Sequence, residues 1–408
     1  MLEEKDITCS FCGRKYSEEL EKNSGINFLM SEYDEKIGIC DVCLDILNET
    51  NDLLREKDAD FINGNEYKDK QVDIGKMEDY TPKAIKDYLD EYIIGQDEAK
   101  RALAIAAYNH IKRVNNMDME LSKTNVLLVG PSGCGKTYLV ETLSKLLKVP
   151  CVSINITAYS ETGYKGKDPI DILRNLYYEA DENIELAERG IIFIDEVDKI
   201  ASVDGGHHIG DTKIQQSLLK MIEGYEETIS DGDTFRPITL NTKNILFIFA
   251  GAFVGLEKSQ KGNETSSGFI SSNVSNKKEV ELKRVLPEHL ISFGMIPEFV
   301  GRVQKIVTLK ALNKDDLISI MKNSKDSACL NYKKLFSLDG FNLEFEESAL
   351  EQIANECIKN KLGARALKSV IEDTMEDLMF NGPTIGNKKG RKKKILVTKE
   401  MVVNRYND

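Results

Sequence analysis

No stretch of this 408-residue chain is long and apolar enough to cross a membrane. A spanning helix needs roughly 20 apolar residues, and the longest run here, around Ile245 to Leu256, is broken by glycines. The N-terminus, Met1-Leu2-Glu3-Glu4-Lys5, is charged and offers no apolar core of a secretion signal. Positive charge is in short supply: 55 Lys and Arg against 68 Asp and Glu leave a net charge of −13. That balance argues against bulk binding to nucleic acid or to anionic membranes. Four of the eight cysteines, Cys134, Cys151, Cys329 and Cys357, are scattered singly rather than arranged as a disulfide framework. Cys134 falls inside a glycine-rich loop, where a disulfide would be disruptive, so a reducing cytoplasm is the expected compartment. No internal repeat is visible. The length allows two or three domains with ample core.

What is present starts with Gly130-Pro131-Ser132-Gly133-Cys134-Gly135-Lys136-Thr137, followed by Tyr138. It fits G-x-x-x-x-G-K-[S/T]. An apolar run, Val126 to Val129, leads in, and a helix-like run, Tyr138 to Leu147, leads out. Glycines let a backbone wrap closely around phosphates. Successive N–H groups and the helix N-terminus then face the anion. Lys136 is expected on the β- and γ-phosphates of ATP and Thr137 on Mg²⁺. A second motif follows. Ile191-Ile192-Phe193-Ile194 is an apolar strand ending in Asp195-Glu196. That arrangement assigns Asp195 to the metal and Glu196 to the attacking water. The bland alternative, a buried strand before a solvated acidic turn, does not explain why both halves of a nucleotide site occur in order.

Residues 1–48 hold the four paired cysteines, Cys9-x-x-Cys12 and Cys40-x-x-Cys43. Two such knuckles in one short segment point to four-thiolate Zn²⁺. A redox role usually needs one pair beside a βαβ unit. The interval from Cys12 to Cys40 is longer than the roughly 15–20 residues usual between pairs. So short a segment builds little core, and zinc would supply much of its folding free energy. Residues 49–80 are polar and charged, with Asn63-Gly64 near the middle, and read as a linker. Thr81-Pro82 is a helix-start signal. From there strands expected at Val126–Val129, Val149–Ile154, Ile191–Ile194, Ile245–Phe249 and Lys305–Leu309 alternate with helical patterns. Such alternation predicts an α/β domain over 81–309 with a mostly parallel sheet covered on both faces. Residues 310–408 read as a smaller, mainly helical domain with one late strand at Ile395–Val397. Residues 262–278, rich in Ser, Asn and Gly, read as a long loop.

With these motifs read, the chain resembles the ClpX family of AAA+ protein unfoldases over nearly its whole length. Cys9-Ser10-Phe11-Cys12-Gly13 resembles the opening of that family's zinc-binding domain. Tyr92-Ile93-Ile94-Gly95-Gln96 resembles its adenine-cupping segment, and Gly163-Tyr164-Lys165-Gly166 its aromatic pore loop. Ile296-Pro297-Glu298-Phe299-Val300-Gly301-Arg302 resembles its arginine-finger segment, and Lys361-Leu362-Gly363-Ala364-Arg365 the start of its sensor-2 helix. The resemblance implies an AAA+ P-loop core, a small helical C-terminal domain and an N-terminal treble-cysteine-type zinc-binding domain. It implies a homohexameric ring with ATP sites between subunits, adenine contacts from Ile93 and Ile94, and Arg302 reaching the neighbour's site. Arg365 would contact the γ-phosphate of its own subunit's ATP. Positive charge is then placed where charge spreads in the transition state. Tyr164, with Lys165 beside it, would grip polypeptide by non-directional contact. Protein substrates, adaptors and a ClpP-like peptidase are the implied partners, with no nucleic acid and no membrane.

The chain also departs from the family pattern. Lys165 stands where the family has a small apolar residue. A basic family loop is expected between Gly224 and Ile238, yet that stretch carries Glu226, Glu227, Asp231 and Asp233 with Arg236 alone opposing them. The peptidase-docking tripeptide, Ile-Gly-Phe in the family, is Ser267-Gly268-Phe269 here, without its aliphatic anchor. The strand ending Phe249-Ala250-Gly251 offers no polar sensor-1 side chain. Two features have bland readings: His207-His208 as a solvent- or substrate-facing pair, and Lys388 to Lys394 as a solvated loop. The functions open at this point are an unfoldase feeding a ClpP-type peptidase, a remodeller that works without one, and a zinc-bearing DNA-dependent ATPase.

Overall fold

The computed structural model describes residues 8–10, 12–15, 27–30, 37–45, 80–116, 119, 121–159, 167–201, 209–230, 237–256, 284–360, 363–381 and 393–406. The chain divides into two units, Met1–Asp73 and Ile74–Asp408. In the first, β1 (Thr8–Cys9) runs parallel to β3 (Ile37–Cys40), and β2 (Phe28–Met30) pairs antiparallel with β3 on its other side. Strand β2 lies within the long interval between the two cysteine pairs, so part of that length is a strand of the same small sheet.

The second unit opens with α1 (Pro82–Tyr92). Thr81 Oγ1 accepts from the Ala84 amide at 3.2 Å, and Pro82 occupies the first turn, where its missing N–H costs nothing. Helix α2 (Asp97–Asn115) follows, with acidic residues in its first turn and basic ones in its last, as the helix dipole favours. The central sheet holds β4 (Val126–Val129), β5 (Cys151–Asn155), β6 (Ile191–Asp195), β9 (Leu246–Gly251) and β10 (Lys305–Thr308). Its order is β10-β4-β9-β6-β5, every pair parallel. Strands β4 and β9 are buried throughout, and their near-continuous apolar runs are what helices on both faces demand. All five strands expected from the sequence are present, with no end shifted by more than two residues.

Two expectations need correction. The stretch after Gly224, expected as a loop, includes a hairpin: β7 (Glu226–Ser230) pairs antiparallel with β8 (Pro237–Asn241). Ile229 and Leu240 are buried, and that apolar footing makes strands of residues where the family resemblance places a loop. In the C-terminal part, β12 (Lys393–Val397) begins earlier than expected and is not alone. It pairs parallel with β11 (Phe341–Phe345), whose alternating Phe341 and Leu343 are buried. That alternation is a period-two signal hidden among helices.

Helices α3 (Lys136–Leu147), α4 (Asp171–Glu179), α5 (Ile184–Glu188) and α6 (Ile209–Glu223) belong to the large lobe, with α7 (Pro287–Phe293) and α8 (Pro297–Gly301). The C-terminal lobe adds α9 (Lys314–Asn323), α10 (Ala328–Leu338), α11 (Glu347–Lys359), α12 (Ala364–Asn381) and α13 (Lys399–Tyr406) around its own apolar core.

At the end of the sheet where strands begin, three basic side chains meet main-chain carbonyls. Lys123 Nζ donates to the oxygens of Ile222 (3.2 Å) and Thr242 (2.9 Å). Arg113 Nη2 donates to Asn244 O at 3.0 Å, and His110 Nε2 lies 2.9 Å from Arg189 O. Burial, and then the Arg113 charge, pull Lys123 down to about 6. The same two causes, in the same order, pull His110 down to about 3.

Candidate functional site

The sheet delivers its chemistry where its strands end. The loop after β4 carries Gly130 to Gly135 into α3. Gly135 has φ of 96°, which a residue with a Cβ adopts only at a cost. Lys136 is buried and folds over the loop, donating from Nζ to Gly130 O (2.7 Å) and Pro131 O (3.0 Å). Thr137 Oγ1 donates to Asp195 Oδ2 at 2.9 Å, which brings the two residues expected on magnesium into contact. The Glu196 amide donates to the other carboxylate oxygen, Asp195 Oδ1, at 2.8 Å. Glu196 has φ of 58°, a left-handed conformation uncommon for a non-glycine residue. Burial pushes the Cys134 thiol up, so it lines the loop as a neutral group.

These residues border a cavity of about 900 Å³. Of the residues expected from sequence, Ile93, Ile94, Ser132, Gly133, Cys134, Gly135, Lys136, Thr137, Tyr138, Asp195, Glu196 and Arg365 line it. Gly130 and Pro131 stand behind, supplying the carbonyls that hold Lys136. A cavity of this size with apolar walls at one end and a phosphate loop at the other suits a nucleoside triphosphate. Ala252 lines it from the end of β9, and no sensor-1 side chain is assigned.

Contacts that the motifs did not reveal join the lobes across the cavity. Ser324 Oγ donates to Tyr92 O at 2.6 Å, and the Lys325 amide donates to Glu91 O at 3.0 Å. The C-terminal lobe therefore grips the segment that leads into Ile93 and Ile94. At the other end, Arg365 Nη1 donates to Ser132 Oγ at 3.2 Å, and the Ala364 amide donates to Gly133 O at 3.1 Å. A Cβ on Gly363 would stand 2.9 Å from that same oxygen, so α12 meets the phosphate loop only with glycine there. Gln96 is a further tie. Its amide donates to Lys310 O (2.8 Å) and Cys134 O (3.3 Å) and accepts from Lys310 N (3.1 Å). The Gly95-Gln96 string hints at it, but its partners lie far along the chain.

Arg302 does not line this cavity. Its side chain is 54% exposed, and Nη2 lies 2.7 Å from Glu223 Oε1. Its carbonyl accepts from the buried Asn125 amide at 2.9 Å. Tyr164 and Lys165, His207 and His208, Ser267 to Phe269, Lys361 and Leu362, and most of the 49–80 linker and the 388–394 basic run lie outside the described residues.

In the first unit the four sulfurs of Cys9, Cys12, Cys40 and Cys43 all lie within 4.8 Å of one another. A tetrahedral zinc–thiolate site, with bonds of about 2.3 Å, has sulfur–sulfur edges of about 3.8 Å. The Cys12–Cys40 separation is 3.7 Å. The Cys40 amide donates to Cys9 Sγ at 3.4 Å, the kind of outer contact that orients a thiolate ligand. Hydrogen bonding to Cys40 and then to Cys12 pushes the Cys43 thiol up to about 12. The donor set fits zinc.

Comparison with known proteins adds three findings. Residues 121–306 match the AAA domain family (Cdc48 subfamily). Residues 312–397 match the C-terminal, D2-small domain of ClpB protein. The ATP-dependent Clp protease ATP-binding subunit ClpX 2 of Wolinella succinogenes is 39% identical over 392 residues, covering 93% of this chain and 92% of that protein.

Proposed function

The chain belongs to the ClpX family of AAA+ ATPases, and from that premise we propose that it is an unfoldase and translocase that feeds polypeptide to a ClpP-type peptidase. That it is a Clp-type ATP hydrolase follows from the family itself. The single observation that carries the site reading is the contact of Thr137 with Asp195 beside a buried Lys136. Thr137 and Asp195 hold Mg²⁺, Lys136 faces the β- and γ-phosphates, and Glu196 polarises the attacking water. Arg365 senses the γ-phosphate. Arg302, exposed and outside its own subunit's cavity, acts on the neighbour's site in a homohexamer. Zinc held by Cys9, Cys12, Cys40 and Cys43 organises the first unit. The domain limits are those expected from sequence: 1–48, 49–80, 81–309 and 310–408. Work on protein substrates and adaptors in the cytoplasm, without nucleic acid or membrane, completes the reading.

Polypeptide is gripped by Tyr164 with Lys165 beside it, and Gly268 and Phe269 enter the peptidase. Ser267 favours a second reading, a remodeller that works without a peptidase, because the aliphatic anchor is missing. One assay separates them. A stable tagged reporter is followed for unfolding alone and for degradation with a ClpP-type peptidase, using the unchanged chain, Tyr164→Ala and Ser267→Ile. The unfoldase reading expects Tyr164→Ala to hydrolyse ATP but leave the reporter folded. Degradation that is weak and rises with Ser267→Ile supports peptidase docking; unfolding with no degradation in either protein supports the remodeller. Normal unfolding by Tyr164→Ala refutes the pore role.

A further inference from the structure

Gln215 lies in α6, and its side chain is completely buried. It touches no part of the nucleotide cavity. Its Nε2 donates to Ile200 O at 2.6 Å and to Gly294 O at 3.4 Å, and its Oε1 accepts from the Ile296 amide at 2.8 Å. The orientation of the amide is set by its partners: reversing it would turn carbonyl against carbonyl and N–H against N–H. A buried amide this fully bonded is costly to disturb and holds its neighbours in one arrangement.

Those partners belong to two different pieces of machinery. Ile200 ends the short turn Val197–Ile200 that directly follows Asp195 and Glu196. The same turn is fixed from the other side, where the Ala252 amide donates to Asp198 Oδ1 at 3.1 Å. Ile296 is the N-cap of α8, and Arg302 is the C-cap of that helix. Helix α8 is short and stiffly packed: Phe299 and Val300 are buried, and the Phe299 ring meets Phe249 of β9 edge-on at 5.0 Å. At its far end Arg302 is held by Glu223, the last residue of α6. So α6 grips α8 at both ends, and at the first grip it also holds the turn beyond Glu196.

We propose that Gln215 is a positioning residue that ties the Asp195–Glu196 turn of one subunit to the Arg302 which that subunit offers its neighbour. A change of nucleotide at the turn shifts Ile200. The amide passes the shift to Ile296, and α8 carries it to the guanidinium. Hydrolysis in one site thereby alters catalytic help at the next. The inference rests on the ring and on Arg302 acting across it.

The test reads amide hydrogen exchange over residues 294–302 with and without ATP, in a Glu196→Gln protein that holds nucleotide. Arg302→Ala is added so that no side chain crosses to the neighbour and any response is internal to the subunit. ATP is expected to change exchange over 294–302 in that background, and Gln215→Met is expected to abolish the change. A response that persists in Gln215→Met overturns the proposal, and so does the absence of any response while Gln215 is present. If Gln215→Met does not fold, Gln215→Asn decides: it keeps a polar amide that is one methylene too short to span Ile200 and Ile296 together, and should also lose the response. With Glu196 and Arg302 intact, Gln215→Met should lower ATP turnover about ten- to a hundredfold, the scale on which a remote misplacement is felt, with little change in KM. Failure of the ring reading looks different: Arg302→Ala alone would then hydrolyse ATP at the unchanged rate, while the exchange response still reports on Gln215.

Discussion

The nucleotide cavity and the four-thiol unit each hold polar groups in fixed positions, by opposite means. At the cavity, side chains from Ile93 to Arg365 are brought together by a sheet whose inner strands β4, β9 and β6 are almost wholly buried, so apolar packing positions the chemistry. In the first unit the described strands are two to four residues long, and Cys9 and Cys40 are both buried. There four thiols stand within reach of a single metal, and in so short a segment metal binding would supply much of the folding free energy. One region places its ligand with its core; the other would draw its core from its ligand.

If that contrast is right, the largest effect of a single substitution falls on chemistry at the cavity, without loss of structure. Glu196→Gln should lower ATP turnover about 10²–10⁴-fold, the usual worth of a positioned general base, while nucleotide stays bound. Lys136→Ala should instead weaken binding itself. Steady-state hydrolysis and a fluorescent-nucleotide titration read the two apart. An unchanged turnover in Glu196→Gln would remove that residue from the reaction.

The next effect runs the other way, on structure without chemistry. Chelation, or Cys40→Ser, should unfold the first unit, because the free energy of metal binding is the free energy of its folding. ATP hydrolysis should stay within about twofold, since every residue that lines the cavity belongs to the second unit and the four thiols belong to the first. Elemental analysis of freshly reduced protein should find zinc. A metal-free first unit that keeps its exchange protection would end the contrast.

The smallest effect sharpens the comparison from the side of the packed core. His110 is held neutral, with Arg113 and Lys123 nearby, and titrates near 3 instead of its ordinary 6.5. Between those values the unfolded chain binds a proton that the folded chain refuses. The contribution is therefore full above pH 6.5 and is lost as pH falls toward 3, at no more than about 1.4 kcal/mol per pH unit. Unfolding midpoints of the unchanged chain and of His110→Gln, followed from pH 7.5 to pH 5, should converge as pH falls. Parallel curves would exclude His110 from the response.

Legibility in the sequence followed the range of the physics. The phosphate loop, Asp195-Glu196 and the paired cysteines were readable because their chemistry needs particular residue types at short spacing. The inner strands β4, β6 and β9 were readable because burial on both faces writes a continuous apolar run. The edge strands β5 and β10 hold fewer apolar residues and were read from their place in the alternation with helices. The β11–β12 pair was read only in part, since Phe341 to Phe345 is a short alternating segment among helices. The β7–β8 hairpin was missed because the family resemblance places a loop between Gly224 and Ile238, and the buried Ile229 is too short a signal to overrule it. Gln96, Ser324 and Gln215 were not identified as ties at all. Each is an ordinary polar residue whose role lies in partners that no spacing rule connects.

By itself, then, the sequence determined the reagents: a lysine, a threonine and two acids at the ends of apolar runs, and four thiols in two knuckles. Local spacing suffices for this because a turn or a strand end places such groups within a few residues of one another. Only the tertiary structure decided how they meet. It set Thr137 against Asp195, closed the C-terminal lobe on Tyr92 at one end of the cavity and on Gly133 at the other, and left Arg302 outside. Those outcomes depend on strand order and on which lobe packs where, and both are settled by burying apolar surface across the whole unit.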